Sequence, residues 1–342
     1  MKLTIENFLE KSESLTIIDV RTPAEFEQGH IPGAVNIPLF SNDERVIVGI
    51  LYKKNGKDKA VLEGLKIVGP KMYDFVVAAK KVAFKKEILV HCWRGGMRSA
   101  SMAWLFETAG LKADTLEGGY KAYRGYNREA LNRTQKIHIL GGMTGSNKTD
   151  ILLEMKKMGA QVIDLEGEAR HRGSSFGQIG LEPQPTNEQF ENNIAKLWLE
   201  LNPEEVLWLE DESKAMGRVR IVDEMFNLIR KSPLFILQKT KEMRIQHLVD
   251  EYADLDVEEL KNAVLRIERR IGGQNLKLAL EALDNKDFAE VANLTLNYYD
   301  KTYTYGIEKR EEVEKIYMDS NTADPIANAE MILGVSGGFL KK

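Results

Sequence analysis

The chain has 342 residues, room for more than one core, with 43% hydrophobic and 29% charged residues and a formal net charge of −4; this is the profile of a globular chain, not a disordered or fibrous one. Its single cysteine excludes an internal disulfide, and no apolar run approaches the ~20 residues of a membrane-spanning helix. The acidic balance argues against indiscriminate nucleic-acid binding, and the opening MKLTIENFLEKSESL lacks the apolar core of a secretory signal, so a cytoplasmic protein without a membrane partner is expected.

In chain order, LTIIDV (15–20) reads as a strand, Pro23 to Phe26 opens a short helix, and AVNIP (34–38) is extended again. Helices are predicted over 42–55 and 59–84, then a strand over 87–91 that delivers Cys92 into a turn of Arg94, Gly95, Gly96 and Arg98, with a helix from Ser99. Strands alternating with helices predict a parallel sheet. The polar stretch GYKAYRGYNREALNRTQ (119–135) shows no clear period, and a connector is placed at 129–135. A second α/β unit follows, with strands at 136–140, 161–165, 205–210 and 234–238 and helices at 147–159, 187–200 and 218–231. From 241 to the end apolar residues recur at helical spacing with no clear strand. The expected fold class is therefore α/β, as a parallel-sheet domain over 1–128, a second α/β domain over 136–240 and a helical C-terminal region over 241–342.

A thiolate is the nucleophilic form of cysteine, and amides, a helix N-terminus and cations all stabilise it. Gly95 and Gly96 allow consecutive N–H groups to point inward as a nest, the helix from Ser99 presents its positive end, and Arg94 and Arg98 add charge. The loop predicts an anionic Cys92 beside a tetrahedral oxyanion; a buried structural cysteine is the plainer alternative.

GGMTGSNKTD (141–150) follows a strand and opens a helix, the context of a phosphate-binding loop. Gly142, Lys148 and Thr149 fit G-x-x-x-x-G-K-[ST], with Asn147 where the second glycine belongs; asparagine is the least costly non-glycine residue if that position needs a positive φ. Thr144, Gly145, Ser146 and Asn147 would offer amides to a diphosphate, Lys148 its charge, and the Thr149 hydroxyl a ligand to Mg²⁺. The long segment 164–192 carries Arg170, His171 and Arg172 beside Ser174 and Ser175 and is expected to act as a lid or anion clamp. Asp211 and Glu212, at the end of VLWLEDES, are candidates for acid–base work or the metal shell, since ligands gather at the carboxyl ends of such strands. Arg266, Arg269 and Arg270 fall at i, i+3, i+4, one face of a predicted helix, and with Tyr298, Tyr299, Tyr303 and Tyr305 they could grip and stack on RNA; core packing is the alternative for the tyrosines.

The string HC, five residues, RS fits both the phosphate loop of cysteine-dependent phosphatases and the active loop of rhodaneses. IIDVRTPAEFEQGHIPGAVNIPL (17–39) closely resembles the rhodanese signature, so the first third is identified as rhodanese-like. Joined to an imperfect phosphate loop, and to NDERVIVGILYKKNG (42–56), DLEGEARHRGSSFG (164–177), FEN (190–192), LEDES (209–213) and YYDKTYTYG (298–306), it makes nearly the whole chain resemble the tRNA 2-selenouridine synthases.

That resemblance implies two reactions at the wobble 2-thiouridine of lysine, glutamate and glutamine tRNAs. A geranyl group from geranyl diphosphate alkylates the sulfur, and selenium from selenophosphate then displaces the S-geranyl group. It implies that Cys92 carries the selenium, that Arg98 and the loop amides hold its phosphate, and that the glycine turn holds the leaving diphosphate with Mg²⁺. No permanently bound cofactor is expected; tRNA is the implied partner, with selenophosphate synthetase as a further one. The competing readings are a cysteine-dependent phosphatase and a persulfide carrier, each fused to a phosphate-loop module.

Overall fold

The computed structural model describes residues 1–133 and 135–339, which form two units, Met1–Ala130 and Leu131–Lys342. Each unit is built around a parallel sheet with helices on it.

The first sheet comprises β1 (Lys2–Leu3), β2 (Thr16–Asp19), β3 (Val35–Asn36), β4 (Glu87–His91) and β5 (Lys112–Leu116), in the order β1-β5-β4-β2-β3, with every pair parallel. Ile88, Leu89 and Val90 of the central β4 are all buried, which is why that strand reads as an unbroken apolar run. Asp19 pairs in register with His91, so two buried polar residues end adjacent strands at the edge from which Cys92 departs.

Two helical expectations change here. The helix expected over 59–84 is two helices, Lys57–Val68 and Met72–Val82, joined by a 3-10 turn at Gly69–Lys71, because Pro70 has no N–H to continue the ladder. The polar stretch 119–135 contains the helix Gly119–Ala130, which buries Tyr120, Tyr123, Asn127 and Ala130. Its stripe does have helical spacing, but tyrosine and asparagine disguise it. Part of the expected connector, Thr134, lies outside the described residues.

The second sheet comprises β6 (Lys136–Gly142), β7 (Gln161–Val162), β8 (Val206–Glu210), β11 (Leu234–Gln238) and β12 (Lys315–Asp319), ordered β12-β11-β6-β8-β7 and again all parallel. A short antiparallel pair, β9 (Ala215–Met216) and β10 (Val219–Arg220), precedes the helix Asp223–Lys231 and replaces the start of the helix expected at 218.

The C-terminal part is not purely helical. β12 extends the sheet beside β11, from Leu234 opposite Lys315 to Gln238 opposite Asp319, and Ala329 and Ile332 of the last helix share a core with Ile151, Leu152 and Met155 behind the glycine turn. The chain's end thus completes the phosphate-loop unit. At the sheet edge only Met318 is buried while Tyr317 is exposed, so the alternation is too short to distinguish from helical spacing. Among the described residues no helix is long and apolar enough to cross a membrane.

Candidate active sites

In the first unit Cys92 lies at the floor of its loop, 3% exposed. Burial by itself raises the thiol's pKa. The Ser99 hydroxyl at 3.3 Å and the backbone N–H groups of Arg94, Ser99 and Gly96 more than offset that and hold it below the ordinary thiol value. Residue type dictates the bowl's shape at two points. Gly95 has φ +61, and a Cβ there would meet the Leu116 carbonyl; a Cβ on Gly119 would strike the Cys92 carbonyl at 2.3 Å. The structural and reactive readings of the cysteine therefore merge: it is buried, and it is solvated by amides.

The two arginines differ from expectation. Arg94 contributes its amide while its side chain is exposed. Arg98 is fixed in orientation, because Nη1 and Nη2 donate to the two Glu25 carboxylate oxygens at 2.7 and 3.2 Å. Glu25 also accepts from the Thr22 N–H in a capping box, so the Glu25-Phe26 segment of the signature orients Arg98. Behind the loop, Arg21 is fully buried, paired with Asp19 at 2.6 Å and stacked 3.8 Å from the centroid of Tyr120.

In the second unit β6 ends in the glycine turn, and Asn147 has φ 62, ψ 40, the left-handed conformation that the missing glycine implied. The helix Lys148–Lys157 starts immediately after, its N-terminus facing a cleft of about 980 Å³ lined by Gly142, Thr144, Gly145, Asn147, Lys148 and Thr149. Ser146 is turned away: its hydroxyl donates to the Met143 carbonyl at 2.6 Å. Tyr303, which also lines the cleft, holds the turn, its hydroxyl accepting from the Gly142 N–H at 2.6 Å. Arg244 does the same through the Thr144 carbonyl at 3.1 Å while paired with Asp300.

Three carboxylates face the turn. Lys148 Nζ lies 3.1 Å from Glu210, the Thr149 hydroxyl is 3.0 Å from both Glu166 and Glu210, and oxygens of Glu166, Glu210 and Glu212 lie within 4.8 Å of one another. Burial first, and then their mutual repulsion, push the Glu166 and Glu212 pKa values up. Such a donor set of oxygens fits a hard divalent cation such as Mg²⁺. Glu212 belongs to this cluster and Asp211 does not. The Asp211 carboxylate also lines the cleft but pairs with the buried Arg310, just past the end of β8 at Glu210. Glu210, named in the sequence only with the other strand-end carboxylates, is brought to the turn by the adjacency of β6 and β8, and Glu166, on the helix Leu165–Ala169, escaped the sequence reading.

The expected lid is a closed, self-bonded loop. Arg172 donates to Glu251 at 2.7 Å and to the Ile179 carbonyl; Arg170 reaches Glu182 and the Pro183 carbonyl. His171 is buried, and the Ser174 hydroxyl accepts from the Phe176 N–H. Arg170, His171, Arg172 and Ser174 all line the cleft, and a Cβ on Gly173 would touch Glu166 and Glu212, so the loop lies directly over the carboxylates. Ser175 instead donates its N–H to Tyr299 and receives Arg266 on its carbonyl at 2.8 Å.

The arginine triplet does not share one helix. Arg266 ends Val257–Arg266, Ile267 breaks the path, and Arg269 and Arg270 lie in the short Glu268–Ile271 turn. Arg266 is a loop anchor, Arg270 stacks over Tyr298 at 5.6 Å, and all three side chains reach solvent. Of the tyrosines, Tyr299 and Tyr303 carry the structural hydrogen bonds just described, and Tyr305 is 59% exposed.

These arrangements match known proteins. Residues 4–126 match the rhodanese-like domain and residues 135–329 the tRNA 2-selenouridine synthase AAA domain. The chain is 34% identical to a tRNA 2-selenouridine synthase of Shewanella sediminis over 331 residues, 86% of this chain and 88% of that one. It is 35% identical to the one of a Sulfurovum species (86% and 89%) and 34% identical to that of Bdellovibrio bacteriovorus (87% and 90%). On a matched second unit and on relatives covered almost end to end, the chain belongs to the tRNA 2-selenouridine synthase family.

Proposed function

We propose that the protein converts the wobble 2-thiouridine of tRNA to 2-selenouridine, by geranylation in the second unit followed by selenium exchange at Cys92 in the first. The observation that carries this reading is the presence on one chain of two unlike anion sites: an amide-solvated thiol and a glycine turn with Lys148 and Thr149 at a helix N-terminus.

In the first step the thiouridine sulfur attacks C1 of geranyl diphosphate; the S–C1 bond forms, the C1–O bond breaks, the diphosphate leaves with the electron pair, and the uracil N3 proton passes to solvent. Lys148 and the turn amides stabilise that leaving charge. Thr149, Glu210, Glu166 and Glu212 would hold Mg²⁺, which supplies further charge neutralisation when bound. In the second step the Cys92 thiolate attacks the phosphorus of selenophosphate, the S–P bond forming as the P–Se bond breaks. The released selenide adds to C2 and the C2–S bond breaks, sulfur leaving as geranyl thiol, and water then cleaves the S–P bond to give phosphate and the free thiol. The net reaction needs no reductant, which suits a chain with no second cysteine. Arg98, oriented by Glu25, and the Cys92 loop amides would hold selenophosphate. Lysine, glutamate and glutamine tRNAs are the proposed substrates, and selenophosphate synthetase the proposed source of selenium.

The test is mass spectrometry of tRNA nucleosides after incubation with geranyl diphosphate, with and without selenophosphate. S-geranyl-2-thiouridine is expected without selenophosphate and 2-selenouridine with it. Neither product, with turnover of an aryl phosphate lost in Cys92→Ser, would favour a phosphatase instead.

A further inference from the structure

A second pocket opens beside the glycine-turn cleft. The two share Thr144, Ser174, Leu248, Tyr252 and Tyr299, so they are contiguous, yet their walls are opposite in character. Beyond the shared residues the second is lined by Phe176, Leu260, Leu283, Phe288, Val291, Ala292, Thr295 and Leu296, and its few polar groups are turned away. The Thr295 hydroxyl donates to the Val291 carbonyl at 2.9 Å, and the Ser174 and Tyr299 hydroxyls accept from the N–H groups of Phe176 and Ser175. What remains facing inward is carbon. A ligand that uses both compartments is an ester with a diphosphate head and a hydrocarbon tail.

We infer that this pocket, walled by the helix Phe288–Glu308 and its neighbours, receives the isoprenoid tail of the prenyl diphosphate while the glycine turn holds its head; this rests on the proposed diphosphate role of the turn. The pocket is narrow, about 40 Å³, so the tail enters as wall side chains turn aside. Tyr252 stands at the boundary, tilted against Phe176 with ring centroids 5.8 Å apart, and is the side chain placed to swing. The closed loop over the carboxylates supplies part of the same wall through Ser174 and Phe176, so seating the tail and ordering that loop over the head are coupled. Tail length is then read as buried surface: each buried methylene contributes about fourfold in affinity, and the second isoprene unit of a geranyl chain on the order of a hundredfold or more.

The test is calorimetric titration of the full-length protein, in Mg²⁺, with inorganic diphosphate, dimethylallyl diphosphate and geranyl diphosphate. Affinity should step up from the five-carbon to the ten-carbon ester, with a more negative heat-capacity change. Ala292→Phe, which fills the pocket from its wall, should erase the step while leaving inorganic diphosphate binding intact, with Ala292→Val in between. The graded pair keeps the test decisive if the larger side chain prevents folding. A folded Ala292 variant that keeps the full step, or a wild-type protein with no step, overturns the pocket. Loss of inorganic diphosphate binding in the wild type, with a step that Ala292→Phe still removes, would instead overturn the role of the glycine turn and leave the pocket standing.

Discussion

Lys148, half-buried, and the buried Glu210 form an ion pair, Nζ to Oε1 3.1 Å, at the head of the helix that follows the glycine turn. Burial alone would lower the lysine pKa, but Glu210, Glu166 and Glu212 together raise it, so a charged amine waits where a leaving diphosphate would come. Lys148→Ala should slow geranyl transfer by roughly 10²–10³-fold, the usual effect of removing one such interaction, and abolish selenation of 2-thiouridine tRNA. Supplying pre-geranylated tRNA should restore selenation. A variant that treats both substrates alike would contradict the division of labour between the units.

Cys92→Ser should abolish selenium incorporation and leave geranyl transfer largely intact, since only the second step uses the thiol. Nucleoside mass spectrometry resolves the two products. Full selenation by the serine variant would remove Cys92 from the mechanism.

The state of the thiol can be read directly, because the chain has no other cysteine. Its pKa is lowered despite burial by Ser99 and three amides, so alkylation by a small reagent should rise with pH at a lower midpoint in the folded protein than in the unfolded chain. Ser99→Ala should move that midpoint upward. An acid with a depressed folded pKa stabilises the fold above its unfolded pKa and loses that contribution as pH falls through the folded one. The wild type should therefore gain on Ser99→Ala in melting temperature as pH rises through the thiol range. Coincident alkylation profiles would show that the hydroxyl does not stabilise the thiolate.

Asp211→Asn should act on the fold. Breaking its buried pair with Arg310, whose side chains are 5% and 2% exposed, leaves a charge without a partner and costs about 3–5 kcal/mol. Chemical denaturation gives the loss. A variant of unchanged stability but lost geranyl transfer would return Asp211 to the reaction centre.

Changing Arg269 and Arg270 to Gln should weaken tRNA binding and flatten its salt dependence, each lost phosphate contact removing about 0.7–0.9 from the log–log slope. Arg266→Gln should instead loosen the loop it anchors through Ser175. Affinities at several salt concentrations, beside protease sensitivity of residues 171–180, separate the two effects. An unchanged slope would move the search for the tRNA surface to Arg170 and Arg172.

Much of this molecule is decided locally. The apolar run ending at His91, the Gly95-Gly96 turn after Cys92 and the left-handed Asn147 before Lys148 are legible in the sequence, because backbone sterics and hydrogen bonding leave those residues few alternatives. Other features depend on which strands become neighbours, and sequence spacing does not contain that. Glu210 reaches Thr149 because β8 pairs with β6, and Glu25 captures Arg98 across 73 residues. β12 belongs to the second sheet only because β11 offers it an edge, and its short alternation carries no signal until that edge exists. The arginine triplet shows the converse, a helical spacing that the break at Ile267 and the contact with Ser175 divide into two roles. Local chemistry thus placed the thiol and the phosphate loop, and long-range packing decided which charges surround them, because an ion pair or a carboxylate cluster is a property of distance in space and not of separation along the chain.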